Sequence, residues 1–314
     1  MKQPLGTYTS LEAAGGAVAI QSLAMGFFDG LHLGHQAVLE SARRGIDNNC
    51  WAVLTFQTHP QAVLFPERSP ALLMGWPHKQ HRLTELGIPH VLALPFNEEV
   101  ARIEAESFLH SLAEHLPALR RIAVGPNWRF GHNRKGTIEM LARWCQSRNI
   151  ELSTASPANH HGEIISSSRI RECVQSGNIL TASELLGHPY GLYGPVVHGQ
   201  QLGRQLGFPT LNLSTEDKCL PPHGVYAGST LLPDGRKILS AINIGQRPSV
   251  NADNRQTAIE SHLLDFTGDL YDAKVLICPE RFIRGERSFS SKMELRDQIA
   301  LDVAEVRNST SQRC

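Results

Sequence analysis

The strongest constraint on this fold is a change in the rhythm of its apolar residues part-way along the chain. Up to about residue 150, short apolar runs at 18–25, 51–56, 90–94 and 121–124 each end on a Gly or Pro signal. Between them lie stretches of helical spacing: Phe108, Leu112 and Leu116 recur every four residues, and Ile138, Leu141, Ala142 and Cys145 follow i, i+3, i+4, i+7. Strands that alternate with helices predict a parallel sheet with right-handed crossovers. Ligands of such sheets lie beyond the carboxyl ends of the strands, so the residues leaving those ends are the first candidates for chemistry.

Near Gly187-His188-Pro189 the rhythm changes. Short strand-like runs follow at 192–198, 225–231, 238–244, 259–264 and 273–283, with a Pro233-Asp234-Gly235 turn between two of them. This pattern predicts an antiparallel barrel or sandwich. A last helix carries Leu295, Ile299, Val303 and Val306 as a stripe toward it. At 314 residues two domains are expected. The boundary falls at 184–190, dividing the chain into 1–186 and 187–314.

Thirty basic residues balance thirty acidic ones, which argues against duplex nucleic acid as a partner while leaving room for a locally bound anion. The apolar stretch at 16–28 is short and runs into Asp29, so it reads as a buried strand and a loop, with no membrane segment or signal peptide expected. The six cysteines are scattered without a C-x-x-C pair, as expected of reduced thiols in a cytoplasm. His78 and His81 lack a third ligand and are read as surface residues. The sequence sets no oligomeric state beyond a monomer or weak homo-oligomer.

The first strand runs into Gly26-Phe27-Phe28-Asp29-Gly30-Leu31-His32-Leu33-Gly34-His35, followed by a helix. Glycines there let backbone N–H groups approach a ligand, and a helix N-terminus favours phosphate. His32 and His35 share one face and are suited to hydrogen-bond phosphates and stabilise charge developing during transfer. The alternative is a tight turn with two incidental histidines. In the second half, Gly203-Arg204-Gln205-Leu206-Gly207-Phe208-Pro209-Thr210-Leu211-Asn212 has no Walker-type loop to accompany it. Its glycines with Thr210 and Asn212 oxygens suit a Mg²⁺-bound nucleotide; glycine-rich barrel turns are the alternative.

The H-x-G-H turn resembles the nucleotidyltransferase superfamily that shares its fold with class I aminoacyl-tRNA synthetases. Thr55-Phe56-Gln57-Thr58-His59-Pro60, Val124-Gly125-Pro126-Asn127-Trp128-Arg129-Phe130-Gly131 and Ile165-Ser166-Ser167-Ser168-Arg169-Ile170-Arg171 follow in the order found in prokaryotic bifunctional riboflavin kinase/FMN adenylyltransferases. The second half is similar to the riboflavin kinase signature through Pro209-Thr210-Leu211-Asn212, Pro221-Pro222-His223-Gly224-Val225-Tyr226, Asn243-Ile244-Gly245-Gln246-Arg247-Pro248-Ser249 and the run from Glu260 to Phe266. The resemblance spans about residues 15–307. It implies a Rossmann-like α/β nucleotidyltransferase domain followed by an antiparallel β-barrel kinase domain with a C-terminal helix.

On that resemblance Gly26, Phe27, Asp29, Gly30, His32, His35, Asn127, Ser166, Ser167, Ser168 and Arg171 would contact ATP or its reacting phosphates. Gly203, Arg204 and Gly207 would hold the kinase nucleotide, Thr210 and Asn212 the Mg²⁺, and Arg284, Glu286 and Phe289 the flavin. Glu260 would be the general base that takes the proton of the ribityl hydroxyl. Read from the residues alone, the serines are first a helix N-cap, Arg169 and Arg171 a solvated face, and Glu260 an ordinary strand carboxylate. ATP, riboflavin and FMN are the implied substrates. A chain that keeps one activity, or a flavin-binding regulator without turnover, are the alternatives. Departures from the family pattern stand at Thr58, Pro126, Trp128, Ser168, Leu211 and Ser249.

Overall fold

The computed structural model describes residues 6–199, 201–214, 218–246 and 257–311. In chain order the elements begin with β1 (Gly6–Tyr8), α1 (Leu11–Ala17), β2 (Ser22–Met25), α2 (Leu33–Arg43), β3 (Trp51–Phe56), α3 (Pro60–Leu64), α4 (Trp76–Glu85) and β4 (His90–Leu94). They continue with α5 (Glu98–Ala101), α6 (Ala105–His115), β5 (Arg121–Val124), α7 (Ile138–Ser147), β6 (Glu151–Thr154), the hairpin β7 (Asn159–His160) and β8 (Glu163–Ile164), α8 (Ser167–Gln175) and α9 (Ile179–Leu186). The last are β9 (Leu192–Val197), α10 (Leu202–Leu206), β10 (Leu211–Leu213), β11 (Gly224–Leu231), β12 (Lys237–Gln246), β13 (Thr257–Leu263), β14 (Lys274–Arg284) and α11 (Lys292–Ser311). Two compact units result, and neither is continuous in sequence. One runs through Ala71 and from Lys79 to Ser167; the other holds Leu72–His78 and everything from Ser168.

The first unit is the expected parallel sheet, in the order β1-β4-β3-β2-β5-β6. The central strands are apolar on both faces because helices cover both, which is why β2 and β3 read as continuous apolar runs. Leu23, Met25, Ile122 and Val124 pack with Leu109 and Leu112 of α6 and with Leu141 and Cys145 of α7. The edge strands β1 and β6 were not legible: three or four half-exposed residues carry too little alternation. The run at 18–25 is shorter than expected, since β2 begins only at Ser22. Its approach is helix α1, capped by the Ser10 hydroxyl accepting the Ala13 N–H at 3.1 Å. Gly15 inside α1 looks like a breaker but permits close packing; a Cβ there would overlap the His115 carbonyl of α6.

The second unit contains a closed antiparallel barrel in the order β10-β13-β12-β11-β14-β9, which settles the barrel-or-sandwich alternative. Its closing strand is β10, concealed in sequence inside the glycine-rich motif. Thr230, Ser240 and Ser261 are buried polar side chains on three neighbouring strands. They satisfy one another, with Thr230 Oγ1 2.9 Å from Ser240 Oγ and 3.0 Å from Ser261 Oγ. Ser240 in turn donates to the Ile238 carbonyl.

Helix α11 lays Val303 and the fully buried Val306 against Ala227 and Leu264, with Leu295 and Ile299 half-buried on the same stripe. It is also held by a bidentate pair between Arg284 and Asp302, 2.7 Å at its shortest. Helix α9 ends on Gly187 in the left-handed conformation, at the point where the rhythm of the sequence changes. The surface reading of His78 is corrected: it is buried, 7% exposed, and stacks on Tyr193 at 5.5 Å. Imidazole offers a flat face that packs against a tyrosine ring, which polarity alone conceals. His81 is half-exposed, 3.7 Å from Glu85. Among the described residues no helix is long and apolar enough to cross a membrane.

Candidate active sites

β2 and β5 are neighbours with Met25 level with Val124, so the turns that start at Gly26 and Gly125 leave the same carboxyl edge of the sheet. The first is sharply bent. Phe28, Gly30 and Leu31 have φ of 57°, 82° and 44°, the left-handed region that is costly for phenylalanine and leucine. The strain is held from several sides. The Phe28 ring is buried beneath the turn, 1% exposed. The Phe27 carbonyl accepts from Thr55 Oγ1 at 2.9 Å and from Lys79 Nζ at 2.6 Å. The Asp29 carbonyl accepts from Ser167 Oγ at 3.0 Å, and the Leu31 carbonyl from Gln36 Nε2 at 2.9 Å.

His32 is the N-cap of α2: its Nδ1 accepts the His35 N–H at 3.3 Å, which puts its ring proton on Nε2. The two imidazoles stack at 3.6 Å between centroids. Burial lowers the His32 pKa to about 4 against an opposing pull from Asp29. His35 is held well below its ordinary value by burial first, then by His32 and Lys79. Both rings are therefore neutral near neutral pH and present N–H dipoles at a helix N-terminus, where an anion is favoured. His35 Nδ1 is buried without a hydrogen-bond partner among the described residues, a cost that a ligand would remove.

Of the residues expected here, Gly26, Phe27, Asp29, Gly30, His32, His35 and Ser167 come together at this turn. Asn127 is exposed in the loop that leaves the same sheet edge from β5. Ser166 is half-buried and Ser168 exposed at the start of α8. Arg169 and Arg171 are half-buried, so neither is a fully solvated face. Sequence reasoning missed Lys79. Its signal was a lysine among the otherwise amphipathic residues of α4, which is indistinguishable from a surface cation until burial is known.

In the barrel, Asn212 of β10 stands directly opposite Glu260 of β13, which stands opposite Asn243 of β12. Residues in direct register project to the same side of a sheet, so an amide, a carboxylate and a second amide form one row. Asn243 belongs to the Asn243–Ser249 motif, which by itself assigns it no role; its half-buried place in a strand is the signal that a pattern of charges overlooks. Asn212 is 5% exposed, and a Cβ on Gly199 would overlap its amide. A Cβ on Gly203 would overlap the Phe208 carbonyl and lie 3.4 Å from Thr210 Oγ1. Gly207 ends α10 at φ 90°, and His262 Nδ1 lies 2.8 Å from the Pro209 carbonyl, pinning the segment ahead of Thr210. Arg204 is exposed on α10. The cradle of neutral oxygens around Thr210 and Asn212 fits a hard cation that brings phosphate ligands of its own.

The flavin candidates are placed differently. Arg284 is committed to Asp302, with its guanidinium 5.9 Å above Phe289. Glu286 is exposed; it accepts the Gln246 N–H at 3.3 Å and lies 3.7 Å from His223. Two of the departures are absorbed by packing: Trp128 stacks on Phe130 at 4.6 Å, and Leu211 is buried in β10. Thr58 and Pro126 are exposed, while Arg247, Pro248 and Ser249 lie outside the described residues.

These two sites belong to two separately recognisable enzymatic domains. Residues 18–169 match the FAD synthetase family model and residues 186–310 the riboflavin kinase model. The chain is 34% identical over 282 residues to the bifunctional riboflavin kinase/FMN adenylyltransferase of Escherichia coli K12, covering 89% of this chain and 90% of that one. It is 32% identical to the protein of the same description from Bacillus subtilis 168, covering 90% of each. A crystal structure described as a macrolide-efflux protein from Streptococcus pneumoniae shares 28% identity at a TM-score of 0.79, covering 96% of this chain and 99% of that one. The chain belongs to the bifunctional riboflavin kinase/FMN adenylyltransferase family.

Proposed function

We propose that residues 187–314 transfer the γ-phosphoryl group of ATP to riboflavin, and that residues 1–186 join the resulting FMN to the AMP portion of a second ATP, giving FAD and pyrophosphate. The observation that carries this reading is one chain holding both a neutral, stacked His32–His35 pair at a helix N-terminus and the Asn212–Glu260–Asn243 row beside Thr210. The first arrangement suits phosphates without proton transfer; the second joins a carboxylate to neutral oxygen donors.

In the kinase half, Glu260 takes the proton of the ribityl hydroxyl as its oxygen attacks the γ-phosphorus and ADP leaves. Thr210 and Asn212 would hold Mg²⁺, which when bound supplies neutralisation of phosphate charge. Gly203, Arg204 and Gly207 line the nucleotide, and Arg284, Glu286 and Phe289 the flavin. In the other half, an FMN phosphate oxygen attacks the α-phosphorus and pyrophosphate departs. His32 and His35 donate to the oxygens where charge grows, aided by Ser166, Ser167, Ser168, Asn127 and Arg171. Such an enzyme would work in the cytoplasm as a monomer or weak homo-oligomer, on small molecules and without nucleic acid.

Incubation with riboflavin, ATP and Mg²⁺, followed by chromatography, should yield FMN and FAD. Formation of neither refutes the proposal, and feeding FMN separately reveals a chain with only one activity. Glu260→Gln should lower riboflavin phosphorylation by at least about a hundredfold while FMN is still converted to FAD. Near-parental phosphorylation in that variant would remove Glu260 as the base.

A further inference from the structure

Lys79 is fully buried, 1% exposed, and neither proposed step uses it. A lysine is rarely so buried, since removing an ammonium from water costs several kcal/mol, on the order of a domain's whole margin of stability. Helix formation does not account for it either: it lies in the first turn of α4, the end of the helix dipole that disfavours a cation. What it touches is the phosphate-binding turn. Its Nζ donates to the Phe27 carbonyl at 2.6 Å, lies 3.5 Å from the Phe56 carbonyl, and sits 3.7 Å above the Phe27 ring. Phe28, the next residue, is the first of the strained left-handed positions that lead to His32.

We propose that Lys79 is a positioning residue of the adenylyl-transfer site: its ammonium clamps the Phe27 carbonyl and thereby holds the strained turn that presents His32 and His35 to the triphosphate. The proposal rests on the adenylyl-transfer reading of this site. Thr55 donates to the same carbonyl, so the peptide is gripped from the sheet by a hydroxyl and from α4 by a cation. Asp29 of the turn favours the charged form of Lys79, and the ammonium in turn lowers the pKa of the neutral His35 of α2. His59 at the start of α3 lies edge-on to the Phe27 ring at 4.5 Å, and on α4 itself the neighbours are His78, His81 and Arg82.

Burial lowers the Lys79 pKa to about 7, so the clamp loses its charge as pH rises through neutrality. Adenylyl transfer should therefore fall along an alkaline limb near pH 7. Riboflavin phosphorylation by the same molecules does not use Lys79 and serves as the internal control.

The test measures kcat/KM for FMN adenylylation against pH, with riboflavin phosphorylation measured in parallel, in the full chain and in Lys79→Met and Lys79→Arg. Lys79→Met should lose about a hundredfold or more in adenylylation while phosphorylation stays within about twofold. Lys79→Arg, whose cation does not titrate in this range, should recover part of that loss and move the alkaline limb to higher pH. Parental FAD formation at parental pH dependence in both variants overturns the proposal, as does an unmoved limb in Lys79→Arg if Lys79→Met fails to fold. If the parent chain itself forms no FAD from FMN, the reading of the site fails before the role of Lys79 is reached.

Discussion

His32→Asn should make the first unit less sensitive to acid, by an amount that follows from the burial of one imidazole. Asparagine retains an acceptor for the His35 N–H, so the cap survives and only the titrating ring is removed. The folded-state pKa of His32 is about 4, against 6.5 for a free histidine. Above about pH 6.5 neither state carries the proton and the contribution of the neutral ring is intact. As pH falls below that value the unfolded chain takes up a proton that the folded chain refuses, and stability declines. The decline ends near pH 4, where the folded ring is protonated too and its Nδ1 can no longer accept. The difference between about 4 and 6.5 corresponds to about 3 kcal/mol in all, of which about 2 kcal/mol falls between roughly pH 7.5 and pH 5. Urea unfolding followed by tryptophan fluorescence measures it, since Trp51, Trp128 and Trp144 lie in the first unit and only Trp76 lies outside it. A two-unit chain does not unfold in one step, and this signal is dominated by the relevant transition. The parent should lose about 2 kcal/mol more than His32→Asn over that interval. Equal losses, within about 0.5 kcal/mol, would refute the assignment of a buried neutral histidine.

Other expectations concern the barrel. Gly199→Ala should push the Asn212 amide aside and weaken riboflavin phosphorylation at least about tenfold, with FMN adenylylation unchanged; steady-state assays of both steps check it. In Thr230→Val the chain of donation from Ser261 through Thr230 to Ser240 is broken and two buried hydroxyls lose partners. That should cost about 1–3 kcal/mol of barrel stability in thermal or denaturant unfolding. Asp302→Ala strands the nearly buried Arg284 guanidinium and should destabilise the docking of α11 by about 3 kcal/mol, read as faster amide exchange along that helix.

The strands of the parallel sheet were legible because they are buried on both faces: a continuous apolar run as short as Trp51–Phe56, bounded by turn residues, is too brief for a helix and too apolar for a loop. The edge strands β1 and β6 were not, because an exposed edge of three or four residues leaves no pattern. Antiparallel runs in the second half were visible through their turns, yet whether they closed into a barrel depended on β10, three residues hidden behind the glycine motif that precedes them.

The same division holds for the sites. By itself the sequence determined which residue types stand at the ends of which elements: the glycine–histidine turn before a helix, Ser167 at the start of α8, Thr210 and Asn212 after a glycine-rich segment. These are local facts, set by spacing along the chain. Only the tertiary structure decided the charge and company of those residues. The neutrality of His32 and His35 comes from burial, the Asn212–Glu260–Asn243 row from strand register, and the engagement of Arg284 from the packing of α11. Lys79 is the sharpest case. In sequence it is one cation on an amphipathic helix; its burial against the Phe27 carbonyl depends on a contact 52 residues away, and solvation, which governs the chemistry of a lysine, is a property of the folded chain.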